Sequence, residues 1–283
     1  MIDILLATYN GEKYISEQID SLLNQTYQNW ILIVHDDGSS DNTIEILKKY
    51  VLKYPKKIIL IEDGIKTRGA KNNFSHLLSF STSKYIMFCD QDDVWLNDRI
   101  ELFHKAMLES VKKYGNIPIV VFSDLIVVDD KLNIINDSMI KYQRLNPEIA
   151  KSFEMLKCQN VITGCAMMVN KKALELSVPI PKDALMHDWW IGLMTAKYGK
   201  NIFLDTATIL YRQHSNNTVG FKKVTIFTIF TKIISLKIYK DFKKISLMLK
   251  HFSINISLIH FMICKVKVIL FRFFKLKYNV KEK

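Results

Sequence analysis

Over its first 130 residues the chain alternates short, continuous apolar runs with stretches of helical spacing, and three runs stop abruptly in polar clusters. Residues 2–7 end in TYNGE, residues 30–34 in HDDGSSDNT and residues 85–89 in DQDDVW. Between them, Ile15, Ile19, Leu22 and Leu23 share a helical face, and Asn42 with Glu45 has the spacing of a capping box ahead of a helix over 43–50. A further strand is predicted at 58–61 and a helix at 73–80. Apolar strands that do not alternate with polar residues are buried on both faces. The pattern therefore predicts an α/β fold, a mostly parallel sheet flanked by helices. Ligands in such sheets sit beyond the carboxyl ends of the strands, so the three polar clusters are expected to converge on one edge.

The third cluster carries the strongest chemistry. A buried strand that delivers Asp90, Asp92 and Asp93 to its tip places like charges where each raises the cost of the others. A divalent cation relieves that cost, and hard carboxylate oxygens suit Mg2+ or Mn2+ bridging to phosphates. The plainer alternative is a solvated acidic turn, with Asp98 and Glu101 capping the next helix. In the second cluster, Asp37 at a strand tip could accept from the N3–H of a pyrimidine, while Asp36 and Asp41 are equally suited to an Asx turn and a helix cap. No GxGxxG follows the first strand and no GxxxxGK[ST] occurs, which excludes the common dinucleotide and P-loop sites.

Farther along, strands are expected at 117–123, 125–128 and 161–170, the last with Gly164 at a close approach. A helix is expected at 187–198, and 202–214 reads as a strand pair. The four cysteines show no paired spacing and read as thiols of a reducing compartment, with neither a disulfide framework nor a zinc site. Residue 1 leads straight into a strand with no secretory signal, and no run is long enough to span a membrane.

Charge divides the chain. Of its net +12, residues 221–283 carry +13 (15 Lys/Arg against 2 Asp/Glu) and residues 1–220 carry −1 (25 against 26). That shift marks an expected boundary near Gly220, giving domains 1–220 and 221–283. In the tail, Ile238, Phe242, Ile245, Leu249, Phe252, Ile256, Ile259 and Ile263 form one amphipathic stripe, with Lys240, Lys243, Lys244 and Lys250 off it. The set reads as a helix lying on an anionic membrane surface. Its rivals are packing on the preceding domain or an oligomer seam. No motif for reading nucleic acid accompanies the charge.

TYN at 8–10, DDGSSDNT at 36–43 and the DxD of Asp90-Gln91-Asp92 together resemble the inverting glycosyltransferases of family 2, which have the GT-A fold. DQDDVW, HDWW and YRQHSNNT are further similar to the bacterial rhamnosyltransferase branch. The resemblance covers residues 1–220 and implies site roles. The loop of Thr8 and Tyr9 with Asp37 would hold the nucleotide base, Asp90 with the adjacent Gln91 would approach the ribose, and Asp92 would bind the metal. Asp93 would support it, and His214 would complete the metal shell or lie in a surface loop. Arg68 or Lys71 would reach the diphosphate or stay solvated. The acid opening a helix after a GC-containing strand would be the general base, here Asp188. The family often has Glu-Asp there, so His187 stands where an acid would. Trp189 and Trp190 would supply a sugar platform or core.

The implied activity is transfer of a sugar, rhamnose from its dTDP donor, to a growing lipid-linked surface polysaccharide. The enzyme would be cytoplasmic and peripheral on the inner membrane face, with an oligomer possible. Two other classes fit parts of the pattern: a metal-dependent phosphohydrolase using the DxD acids, and a non-catalytic sugar-nucleotide-binding scaffold.

Overall fold

The computed structural model describes residues 1–214 and 236–273. Strands β1 (Ile2–Thr8), β2 (Trp30–Asp36), β3 (Ile58–Ile61) and β4 (Tyr85–Cys89) lie parallel in the order β3-β2-β1-β4. The helices α1 (Ile15–Leu23), α2 (Thr43–Lys53) and α3 (Ala70–Leu77) connect them. The sheet continues through β8 (Met167–Asn170), β6 (Ile119–Val128), β9 (Lys200–Arg212) and β5 (Val94–Trp95), with β7 (Ile134–Asn136) beside β6. Strand β8 is antiparallel to both neighbours, while β6 and β9 run parallel to each other. The remaining helices are α4 (Arg99–Tyr114), α5 (Met139–Tyr142), α6 (Phe153–Leu156), α7 (Lys171–Ser177) and α8 (His187–Tyr198).

Successive side chains on each strand face opposite ways, and the apolar runs feed a core on either side. Leu5, Ile33 and Phe88 enter one core with Phe74, Phe122 and Trp190. Ile4, Leu6, Leu32, Val34 and Met87 enter the other with Trp95 and Phe103. The registers Thr8↔Asp36 and Leu6↔Cys89 bring the tips of β1, β2 and β4 level, as the three polar endings required.

Some local expectations fail for nonlocal reasons. The strand expected at 161–170 is cut to β8, because Gly164–Ala166 forms a 3₁₀ turn. The two strands expected at 117–128 are one strand with an irregularity at Asp124, and the strand pair expected at 202–214 is the single β9. The capping box also fails: the Asn42 side chain makes no cap bond and donates to Glu12 Oε2 at 2.7 Å, while Thr43 N–H donates to Asp41 Oδ1 at 3.0 Å.

The tail departs most from expectation. Gly220 lies outside the described residues, as do residues 274–283. The stripe does not form one helix; it breaks between a helix at Leu236–Lys250 and another at Leu258–Phe273. Ile245, Leu249, Phe252 and Ile256 are buried in the same core as Ile33 and Phe88. Phe252 packs on Trp190 and on Phe153, each at a ring-centroid distance of 5.0 Å. Asn146 Nδ2 donates to the Phe271 carbonyl at 3.2 Å, and Cys264 pairs with Cys158 as a disulfide, contrary to the expectation of four independent thiols. Cys89 and Cys165 are free and buried. The outer face of the last helix meets solvent with apolar side chains, Ile259 and Ile263 of the stripe among them, and Tyr239 and Leu247 of the preceding helix are exposed as well. No helix among the described residues is long and apolar enough to cross a membrane.

Candidate active site

The tips of β1, β2 and β4 open into a cavity of about 810 Å³ whose far wall is the start of α8. Thr8, Tyr9, Asp37, Arg68, Asp90, Gln91, Asp92, Gly164, His187 and Asp188 all line it. Residues 100 and more apart in sequence thus meet in one space.

On the β2 side, the two aspartates have different duties. Asp36 is consumed locally: its Oδ1 accepts the N–H groups of Gly38 and Ser39, and its Oδ2 the Thr8 hydroxyl at 2.8 Å. Asp37 faces the cavity. Its Oδ1 accepts from Arg68 N–H at 2.9 Å and from Thr67, and its Oδ2 from Gly69 N–H at 2.7 Å. Burial pushes the Asp37 carboxyl up, but these donors outweigh it and hold the group below the usual carboxylate range.

The β4 tip concentrates negative charge. Burial first, and the charge of Asp92 second, push Asp90 up to about 7. Asp93 is fully buried and pushed well above its ordinary value by burial and by Asp92 and Asp90. Asp93 Oδ1 accepts Arg212 N–H at 3.2 Å, and its Oδ2 meets no hydrogen-bond partner among the described residues. His214 Nε2 lies 2.8 Å from Asp92 Oδ2, and its ring packs 4.9 Å from that of Tyr14. Asp90, Asp93 and Cys165 present ligand atoms within 4.8 Å of one another, and such a buried cluster of carboxylates fits a divalent cation.

Across the cavity, Asp188 occupies the first turn of α8 and is buried. Gly164 N–H donates to its Oδ2 at 2.9 Å, while Trp189 N–H and Asn160 Nδ2 donate to Oδ1. Burial wins over these donors and pushes Asp188 up to about 6. A helix N-terminus alone lowers a carboxylate; here desolvation reverses the sign and leaves a carboxylate with useful basicity. Its neighbour His187 sits between Phe74 and Phe88, with ring centroids at 4.3 and 5.0 Å, and burial holds it down to about 3. It is a neutral, apolar-packed ring. A Cβ on Gly164 would fall 2.7 Å from His187 Nε2, so glycine is needed to let the turn approach α8.

Four expected ligand residues make scaffold contacts, Gln91 while also lining the cavity. The Gln91 amide brackets the Tyr9 backbone, accepting from its N–H at 2.8 Å and donating to its carbonyl at 2.9 Å. This ties the first cluster to the third. Lys71 Nζ is spent on the carbonyls of Lys182 and Ala184, at 2.6 and 3.0 Å. Trp189 Nε1 donates to Leu156 O and Trp190 Nε1 to Ser177 O, and both rings pack in the core that receives the tail. Neither indole lines the cavity, so they do not form a sugar platform there.

Other residues of the site escaped the sequence reading. Lys66 and Asn160 line the cavity. Arg212 is buried and ties together the site's periphery: Nε donates to Asp92 O at 2.9 Å, Nη1 to Asp130 O at 2.6 Å, and Nη2 pairs with Glu17. Asn160 belongs to no motif, but Arg212 stands two residues before His214 and was open to notice.

Residues 3–176 match the model of a protein family described as glycosyl transferase family 2. The chain is 29% identical over 227 residues to the dTDP-rhamnosyl transferase RfbG of Shigella flexneri, covering 76% of this chain and 73% of that protein. It is 34% identical over 122 residues to an Escherichia coli protein, the UDP-Glc:alpha-D-GlcNAc-diphosphoundecaprenol beta-1,3-glucosyltransferase WfgD; the match covers 42% of this chain and 47% of that one. Among solved structures, S. aureus TarS 1-349 in complex with UDP-GlcNAc superposes with a TM-score of 0.60 at 18% identity, over 98% of this chain and 73% of that one. The mannosyltransferase PcManGT of Pyrobaculum calidifontis, in complex with GDP-Man and Mn2+, gives 0.58 at 13% identity, over 98% and 88%.

Proposed function

The chain belongs to glycosyl transferase family 2, and from that premise we propose that it moves rhamnose from dTDP-rhamnose, with inversion, to a lipid-linked glycan at a membrane surface. The observation that carries this reading is a cavity with the carboxyl groups of Asp90 and Asp92 on one wall and the raised carboxyl of Asp188 on another. A volume of about 810 Å³ suits a ligand of nucleotide-sugar size.

Each residue then has a task. Asp37 keeps a lone pair on Oδ2 beside the Gly69 N–H, available to a base N–H. Asp90, partly buried on the cavity wall, accepts from a ribose hydroxyl when ionised. Asp92 and His214 would hold Mg2+ or Mn2+, which neutralises charge on the departing diphosphate. Arg68 and Lys66 bring positive charge to the same wall. Asp188 takes the proton of the acceptor hydroxyl as that oxygen attacks the anomeric carbon from the face opposite the diphosphate. Gly164 and Asn160 fix the carboxylate's direction.

The choice of rhamnose is supported by the similarity to the dTDP-rhamnosyl transferase, and that of a lipid-linked acceptor by the printed name of the undecaprenol-dependent relative. Membrane contact is supported by the +13 charge of residues 221–283 and by the outer face of the last helix. That face exposes Leu258, Ile259, Ile263, Val266 and Leu270 between lysines 265 and 267. Each such lysine adds about 1 kcal/mol near anionic lipid.

A panel of nucleotide sugars, tested for thermal stabilisation with Mn2+ present, distinguishes the donors. The largest shift is expected with dTDP-rhamnose. A larger shift with a UDP-sugar would move the donor assignment, and no shift with any would remove the transferase reading of the cavity.

A further inference from the structure

Outside the cavity, three ligand-type side chains from distant elements meet behind the loop that holds Asp37. His35 comes from β2, Asp63 from the loop after β3 and His76 from α3. One ligand atom from each lies within 4.8 Å of the other two. His76 Nε2 is 2.7 Å from Asp63 Oδ2, and the two imidazole rings stand edge to face at 4.7 Å.

The tautomer of His35 follows from its neighbour. Asn73 Nδ2 donates to the His35 carbonyl at 3.1 Å, which orients the amide so that Asn73 Oδ1 faces His35 Nδ1 at 2.8 Å. An amide oxygen only accepts, so Nδ1 carries the proton. In the neutral ring Nε2 then presents a lone pair, and it points at Asp63 Oδ1 from 3.5 Å. That oxygen also accepts the Ile65 N–H at 3.0 Å. Two lone pairs face each other beside a buried ring. The gap is longer than the roughly 2.7–2.9 Å of an imidazolium–carboxylate hydrogen bond. It is close to the about 3.4 Å edge of a tetrahedron built on Zn–N and Zn–O bonds of about 2.0–2.2 Å. The Asn73 contact to Nδ1 is also the outer hydrogen bond that metal-bound histidines characteristically make.

We propose that His35, Asp63 and His76 form a transition-metal site of the Zn2+ class, separate from the strand-tip acids and serving to pin the 64–69 loop. Two imidazoles and one carboxylate suit Zn2+ or Co2+, whereas the strand-tip oxygens suit Mg2+ or Mn2+. Asp63 opens the loop whose N–H groups at Thr67, Arg68 and Gly69 orient Asp37. The metal would anchor that loop at one end while Asp37 holds the other. The site is independent of which sugar is transferred.

The test is a titration of the metal-free, full-length protein with Zn2+ against a chromophoric chelator, repeated with Co2+ for its visible absorption. Wild type and Asp92→Ala should each bind one equivalent, with the Co2+ spectrum of a low-coordinate nitrogen–oxygen site. His76→Gln and Asp63→Asn, checked for folding by circular dichroism, should bind at least tenfold more weakly and lose that spectrum. The proposal is overturned if wild type binds no such equivalent, if His76→Gln binds unchanged, or if Asp92→Ala is the variant that loses the metal.

Discussion

The strand-tip edge and the C-terminal tail were both conspicuous in sequence, yet the fold treats them differently. At the edge, each polar cluster stayed with the strand that carries it, and the parallel register of β1, β2 and β4 was enough to bring them together. In the tail, a single stripe of apolar residues was divided between two destinations. Ile245, Leu249 and Phe252 turned into the core, while Ile259 and Ile263 stayed in solvent. A strand tip has one place to go in a parallel sheet. An amphipathic helix has a face but no address, and whether that face meets lipid or protein depends on what the rest of the chain leaves uncovered.

The sharpest break in this comparison would come at Asp188. Replacing it with Asn keeps the shape of the first turn of α8 and removes the base. Transfer should fall about 10²- to 10⁴-fold, while nucleotide-sugar affinity, read by calorimetry, stays within a few-fold. Equal loss of both would mean the residue positions donor and does not act on the acceptor.

The tail offers the next largest effect. Phe261 is fully buried, so Phe261→Ala should cost about 3–5 kcal/mol in a denaturant melt. Cost below about 1 kcal/mol would restore the picture of a detached tail. The contrasting substitution, Ile259→Ser on the outer face, should leave stability within about 0.5 kcal/mol and weaken binding to anionic vesicles. Unchanged vesicle binding would leave that face without a membrane role.

Gly164→Ala is intermediate. The added methyl meets His187 Nε2 at 2.7 Å, and relief by shifting the turn should cost about 1–3 kcal/mol. Because Gly164 N–H also holds Asp188, turnover should fall with it. A stable, fully active variant would show that the close approach is dispensable.

The smallest effect is a change in slope. Asp188 must be ionised to accept a proton, and burial holds its carboxyl near 6. The value of kcat/KM should therefore rise with pH through about 6 and level off above it. A profile flat from pH 5 to 8 would remove Asp188 as the titrating base.

The residues themselves say why the site was more legible than its surroundings. Asp37, Asp90, Asp92 and Asp188 stood out because carboxylates at strand and helix ends are costly without a purpose, and the fold brings all four to one cavity. Lys71 lies off the cavity because polar side chains beside a motif serve backbone carbonyls as readily as ligands, and only the path of the neighbouring loop decides. Trp190 could not be assigned without knowing that Phe252 packs on it from 62 positions away. Asn160 supports Asp188 from outside any motif, and only the folded chain brings the two together.

In the proposed mechanism the strand-tip acids hold the donor while Asp188 acts on the acceptor. This mechanism is tested most directly by measuring nucleoside diphosphate binding, with and without Mn2+, alongside turnover in wild type, Asp92→Asn and Asp188→Asn. Mn2+ should strengthen binding in wild type and Asp188→Asn but not in Asp92→Asn, and both variants should lose turnover. Binding strengthened equally by Mn2+ in all three proteins, or full turnover in Asp188→Asn, would contradict it.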